Sequence, residues 1–302
     1  MKLKDLGERA IVRDLLTLFG IPDDDVYVDS SKGLMLKVDG FRLDYTAGGA
    51  DLYDMGWKAV TSVISDLVSR GGKPFELLLS IGVPKDLDYS AFSSLVSAIK
   101  DASDYYNVKV VGGDTNEGNW VDLFGVAEPL CYKPAHKVNS KGVLIISEPI
   151  GYTETVFNTN KGKNTIFGQK LVHPTVRTEI LEFFSKFCEK IYYSTDISDG
   201  LFVSLHNVAR RLGVKVVVTE LPLADEVKAL ASVDPLGFLS KGGEDYATLI
   251  LLSDEVVDVA LSYLESLGLR PQLIGYATPG SGVEFEGIAV PERGWDSFKG
   301  WI

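Results

Sequence analysis

The sequence predicts a mixed α/β protein of two domains. Helical and strand-like hydrophobic patterns alternate along the chain, its 302 residues exceed the roughly 100–200 of one ordinary domain, and a polar stretch holding Pro134 interrupts the pattern near the middle. These observations place the domains at 1–137 and 138–302, with a cleft shared between them.

The elements follow in order. Residues 5–19 set Ile11, Leu15, Leu18 and Phe19 on one helical stripe that stops at Gly20 and Pro22, which reads as a surface helix. Residues 23–45 alternate around the turn at 29–33 and predict a hairpin. A helix over 55–72 closes on glycine, a strand covers 73–84, and a helix covers 89–107. The apolar run 108–111 predicts a short buried strand that ends in Gly112, Gly113 and Asp114. After the polar stretch come a strand at 143–147, a helix at 177–190, the segment STDISDGL (194–201) and the helix it opens. Strands at 214–221, 245–252 and 271–278 and a helix at 253–268 complete a second α/β unit.

The formal net charge is −12, and Lys and Arg form no block, which argues against nucleic acid or anionic membrane as partner. No run approaches the ~20 apolar residues of a membrane span, and the N-terminus shows no signal-peptide core, so a cytoplasmic protein is expected. Cys131 and Cys188 have no metal spacing and predict buried thiols in a reducing compartment. An acidic protein can still bind phosphates where divalent cations stand between the negative groups.

The carboxylates are therefore the informative residues. Glycines before Asp114 let a phosphate approach the backbone, although a tight turn would use the same residues. Asp66 lies on a helix face otherwise made of small residues, Ala59, Thr61, Ser62, Ser65 and Ser69, with Lys58 and Arg70 at the ends. Such a face suits close packing or a ligand wall. Asp199 is placed to cap the helix starting near Gly200, which leaves Asp196 to explain. Turned to a cleft, the pair could hold Mg2+. Walker A, dinucleotide and zincin patterns are absent, and His136, His173 and His206 are isolated and structural in character.

LGERAIV, PDDDVYV, LKVDGF, VVGGDT, HPTVR, STDISDGL, GGEDYATL and ERGWDSF occur in this order. With these motifs the chain resembles the thiamine-monophosphate kinases, within the superfamily of aminoimidazole ribonucleotide synthetase, selenophosphate synthetase and a hydrogenase-maturation protein. The resemblance implies an aminoimidazole ribonucleotide synthetase-like fold whose N-terminal strands pair in a homodimer, and ATP- and Mg2+-dependent phosphorylation of thiamine monophosphate. It implies a metal cluster of several Mg2+ ions held by Asp23, Asp24, Asp39, Asp66, Asp114, Asp196 and Asp199. Of these, Asp114, Asp196 and Asp199 would act in catalysis. Gly112, Gly113, Asp114, Thr115, Ser198 and Asp199 would bind the nucleotide, and Asp39, Glu244 and Trp295 the substrate, with core packing the other role open to Trp295. The chain departs from the family pattern at 40–50, at 135–142, at Ser204 and at Ser297. These departures keep two alternatives open: a related small-molecule kinase or synthetase with another acceptor, and a non-catalytic nucleotide-binding regulatory protein.

Overall fold

A computed structural model describes residues 1–45, 47–135, 141–159 and 162–302. The chain begins with α1 (Leu3–Leu6) and α2 (Glu8–Phe19), split at Gly7, where φ is +83°. The predicted stripe of α2 stays exposed at Leu15, Leu18 and Phe19. Next come β1 (Tyr27–Asp29), β2 (Leu34–Phe41), α3 (Leu52–Ser69), β3 (Gly72–Val83), α4 (Tyr89–Tyr105), β4 (Lys109–Glu117) and β5 (Trp120–Pro129). They build a five-stranded sheet in the order β1-β2-β5-β3-β4, in which only β3 and β4 are parallel, as a strand–helix–strand crossover through α4 requires. The expected hairpin is β1 and β2. The central strand β5 stands out less in the sequence than its neighbours.

Then follow β6 (Gly142–Ile146), α5 (Tyr152–Thr159), α6 (Ile166–Val172), α7 (Ile180–Phe187), β7 (Ile191–Asp196), α8 (Leu201–Leu212) and β8 (Val214–Val218). The remaining elements are α9 (Asp225–Ala231), α10 (Pro235–Leu239), β9 (Thr248–Ser253), α11 (Val257–Ser266), β10 (Gln272–Pro279), β11 (Val283–Phe285), β12 (Ile288–Ala289), β13 (Trp295–Asp296) and β14 (Gly300–Trp301). Seven of these strands form a second sheet, β12-β11-β8-β10-β6-β9-β7, and β13 pairs with β14. Residues 136–140, which hold the expected 137/138 boundary and His136, lie outside the described residues.

One hydrophobic cluster joins the two halves. Val60, Val63, Ile64 and Leu95 of α3 and α4 pack with Leu77 and Leu123 of the first sheet and with Phe183, Phe184 and Leu264 of the second half. Helix α3 is therefore buried around its circumference, with Lys58 5% and Arg70 1% exposed. Three expectations are corrected. Strand β4 is exposed along its length instead of buried, and Gly112 to Asp114 lie within it, because β4 is the sheet edge and among the described residues none covers its outer face. Asp199 does not cap α8; Gly200, with φ +109°, occupies the cap position without a side-chain hydrogen bond. Cys131 and Cys188 form a disulfide, which ties the end of the first half to the end of α7 and removes the reason to infer a reducing compartment. Among the described residues no helix is long and apolar enough to cross a membrane.

Helices α3 and α4 touch where Gly56 meets the Leu95 carbonyl; a Cβ on Gly56 would lie 2.3 Å from that oxygen. Gly56→Ala is expected to push the helices apart and destabilise the fold by about 1–3 kcal/mol, read as a lower denaturation midpoint. An unchanged midpoint would mean that the contact relaxes freely.

Candidate functional site

Four carboxylates converge where β2, α3 and the end of β7 meet. Alternation along β2 turns Met35, Lys37 and Asp39 towards α3, and Lys37 Nζ reaches Asp66 Oδ2 on that helix at 3.0 Å. One residue before Asp66, Ser65 Oγ donates to Asp196 Oδ2 at 2.5 Å, joining α3 to the last residue of β7. Ser198 Oγ lies 3.4 Å from the other Asp196 oxygen. Ser204, on α8, donates to the Asp196 carbonyl at 2.7 Å and so anchors the strand end.

The loop holding Asp199 is clasped from two sides. Glu244 and Tyr246 donate their backbone N–H groups to the carbonyls of Ser198 and Ile197, and both adopt positive φ, +60° and +52°, to do so. The predicted strand over 245–252 accordingly starts only at Thr248. From the C-terminal tail, Trp295 N–H donates to the Asp199 carbonyl at 3.0 Å. The Trp295 ring meets Tyr45 and Trp301 edge-on, which makes an aromatic wall beside the carboxylates. Asp296 is buried and accepts from Glu8, Phe298 and Lys299 N–H groups, which closes the tail onto the start of α2.

Several carboxylates are already paired with fixed cations. Asp24 binds the buried Arg70 at 2.9 Å, and Asp25 binds Arg211 at 2.6 Å. Asp23 lies 3.1 Å from Arg211, and Glu244 2.7 Å from Lys58. Lys37, Arg211 and Asp25 were not singled out from the sequence. Lys37 had a usable signal, since it sits two residues before Asp39 and therefore on the same strand face. Arg211 had none, being 188 residues from Asp23.

By contrast, no basic side chain lies within ion-pair distance of Asp39, Asp196 or Asp199 among the described residues. Burial pushes Asp199 up to about 7, with Glu8 adding to the rise and Arg9 opposing it. Burial also pushes Asp196 up to about 6, against the hydrogen bond from Ser65 and with the help of Asp25. Asp66 rises through burial, opposed by Lys37 and reinforced by Asp196 and Asp39. Burial alone would raise Asp25 as well, but Arg211, Arg70 and Lys37 hold it well below the usual carboxylate range.

The structure thus brings Asp39, Asp66, Asp196, Asp199, Ser198, Glu244 and Trp295 into one region, with Asp23 and Asp24 at its edge. It does not bring Asp114 there. Register pairs Asp114 with Ser80, Ser80 with Asp122 and Asp122 with Gly40, one residue out of step with the row of Asp39 and Leu123. Adjacent strand positions face opposite ways, so Asp114 points away from α3. Three strand spacings, roughly 14 Å, also separate β4 from β2. Gly112, Gly113 and Thr115 share that exposed strand. His206 holds the Val290 carbonyl, and His173 stacks on Trp57 beside Asp54, both structural roles.

Residues 22–128 match the family described as AIR synthase related protein, N-terminal domain. The thiamine-monophosphate kinase of Aquifex aeolicus is 27% identical over 99% of this chain and its own full length. That of Pyrobaculum calidifontis is 27% identical over 99% of this chain and 98% of its own. Among solved structures, the AaThiL complex with AMPPCP and TMP superposes with a TM-score of 0.83 at 26% identity, covering 98% of this chain and 99% of that one. The tt0281 protein of Thermus thermophilus reaches 0.85 at 27% identity, covering 96% of this chain and 100% of that one. The hydrogenase-maturation protein HypE of E. coli shares the fold, with a TM-score of 0.68 at 17% identity over 95% of this chain and 96% of its own.

The raised carboxyls give a signed pH dependence. Unfolded aspartates titrate near 4, so between pH 4 and 7 the folded chain holds protons on Asp196 and Asp199 that the unfolded chain has lost. Their contribution to stability is present below pH 4 and is lost as pH rises through about 7. With a chelator present, Tm is expected to fall between pH 5 and 8 for the native chain, and to fall less for Asp199→Asn. Equal slopes would contradict the buried, proton-holding Asp199.

Proposed function

We propose that this chain, a thiamine-monophosphate kinase-like member of the AIR synthase-related family, transfers the γ-phosphoryl group of ATP to thiamine monophosphate, giving thiamine diphosphate and ADP. The observation that carries this reading is the convergence of Asp39, Asp66, Asp196 and Asp199 at one strand end, on a chain similar to these kinases along its length. The acceptor is already an ionised phosphate. An oxygen of that phosphate forms the new P–O bond as the bond to the ADP oxygen breaks, so charge neutralisation and in-line placement matter more than a general base.

Magnesium fits part of the carboxylate set. Asp196 is a buried oxygen donor and Asp199 a half-buried one, both without a basic partner among the described residues, and Asp39 stands beside them, which is the donor chemistry a hard cation takes. Among the described residues no three carboxylates stand close enough to ligate one ion together, so we assign Mg2+ to these three with water and substrate phosphates completing each shell. Bound there, it would supply charge neutralisation at the phosphate oxygens. Asp23 and Asp24, held by arginines, serve as they stand to fix the loop before β1 against Arg70 and Arg211.

The chain's own groups do the rest. Ser65 and Ser204 hold Asp196 in place, while the tail N–H of Trp295 fixes the Asp199 loop. Tyr45, Trp295 and Trp301 supply flat apolar surface for the thiamine rings. Glu244, oriented by Lys58, offers its carboxylate to a cationic ring.

We further assign Asp114, with Gly112, Gly113 and Thr115, to a site completed by a second copy. The sheet face away from α3 is uncovered and carries exposed Val38 and Leu78 together with half-buried Phe124 and Val126. An open apolar sheet face of this kind suits a homodimer. The reading divides the chain into domains 1–137 and 138–302 and goes with a cytoplasmic setting, where ATP is supplied.

The test is product formation from ATP, Mg2+ and thiamine monophosphate, identified by mass. Thiamine diphosphate appearing with ADP, and falling by orders of magnitude in Asp196→Asn, is expected. ADP formation indifferent to thiamine monophosphate would mean another acceptor; Mg-ATP binding without any product would favour a regulatory role. Co-expressed Asp114→Asn and Asp196→Asn subunits should recover activity that neither has alone. No recovery would remove the second copy from the site.

A further inference from the structure

Among the described residues, Lys37 is the one basic side chain that projects from the first sheet into the buried carboxylates. Its Nζ lies 3.0 Å from Asp66 Oδ2, with the two side chains 22% and 10% exposed, and its charge also acts on Asp25 and Asp39. Alternation along β2 leaves this orientation no freedom, because a one-residue slip would carry Met35 out of the core cluster it forms with Leu67 and Ala127. The ammonium is thus built into the site by the same register that positions Asp39.

We propose that the Lys37 ammonium is an internal counter-ion of this cleft, occupying the place beside Asp66 that a divalent cation would otherwise take. The inference rests on the phosphoryl-transfer reading above. Aspartates at the meeting point of β2, α3 and β7 repel one another unless positive charge lies between them. At Asp39, Asp196 and Asp199 no described basic side chain lies within ion-pair distance of the carboxylate, which leaves that place to a bound ion. At Asp66 a side chain does, and a lysine is suited to it: a compact point charge with three donors, needing no oxygen ligands of its own. The same economy recurs at the rim, where Arg70 and Arg211 serve the run 23–25. Lys37 shares its carboxylate surroundings with groups left open to metal. The consequence is a smaller metal requirement than the count of aspartates suggests.

The test counts metal ions. Native protein, Lys37→Ala and Lys37→Arg are titrated with Mn2+ in the presence of AMPPCP, and bound ions are counted from the free Mn2+ signal in electron paramagnetic resonance. Lys37→Ala is expected to bind one more ion per chain than the native protein, and Lys37→Arg the native number. Tm guards against misfolding: Lys37→Ala should be less stable than native without metal and should gain more from Mn2+. The double variant Lys37→Ala/Asp66→Asn, which removes both charges, should return to the native count. An unchanged or lower count in Lys37→Ala overturns the proposal, as does an extra ion that persists in the double variant or an absence of Mn2+ binding in every form. Thiamine diphosphate formation by native protein is judged separately. Its absence would end the kinase reading and would leave the difference in ion count as it stands.

Discussion

Negative charge held out of water at one strand end is the constraint on which the rest of this structure depends. Asp66 and Asp196 sit on facing elements, linked through Ser65, with Asp39 and Asp199 beside them. Water screens Asp66 and Asp196 poorly there, so the protein must supply protons, fixed cations or bound ions. It sets the ammonium of Lys37 at Asp66, while at Asp196 and Asp199 burial favours the protonated carboxyl as the pH falls. Each solution leaves a trace elsewhere in the fold.

The first trace is the all-round burial of α3. A helix that carries buried carboxylate on one face and a core stripe on the other must be covered on both. The cluster joining Val60, Ile64, Phe183 and Leu264 provides that cover across the two halves. Small residues permit the close approach: Gly56 meets the Leu95 carbonyl, and Ser62, Ser65 and Ser69 are buried with their hydroxyls donating to Ala59, Asp196 and Asp66 oxygens. Arg70 at the end of α3 donates to the carbonyls of Ser194 and Lys133 as well as to Asp24, so one guanidinium ties the loop before β1, the helix and β7 together. Breaking a buried pair of this kind costs roughly 3–5 kcal/mol, because the abandoned charge cannot reach water.

The second trace is backbone strain in the loop that faces the site. Glu244 and Tyr246 both take positive φ, which a side chain tolerates only when surrounding contacts compel it. The compelling contacts are their N–H bonds to Ser198 and Ile197, the residues flanked by Asp196 and Asp199. Three separate chain segments, 196–200, 242–246 and 294–296, thereby form one rigid rim. A site that must place two phosphate chains in line benefits from rigidity at this point more than from stability.

How much of this was legible in the sequence differs from residue to residue. The period of two in β2 and the period of 3.6 in α3 are local properties, so the mixed α/β class, the hairpin and the helix around Asp66 could be read from neighbours in the chain, whereas Asp39, Asp196 and Asp199 came together as a set only through the family motifs. The small-residue face around Asp66 suited close packing or a ligand wall, and the structure shows the close packing. What only the tertiary structure decided depends on partners far apart in sequence: Arg70 for Asp24 at 46 residues, Arg211 for Asp23 at 188, Cys188 for Cys131 at 57. The face presented by Asp114 belongs to the same class. Its glycine-rich strand looks the same whether buried or at an edge, and only the strand order and the register with Ser80 turn it away from the other aspartates. Local periodicity sets which side chains share a face; the strand order and helix crossings set which faces meet, and charge pairing follows the second.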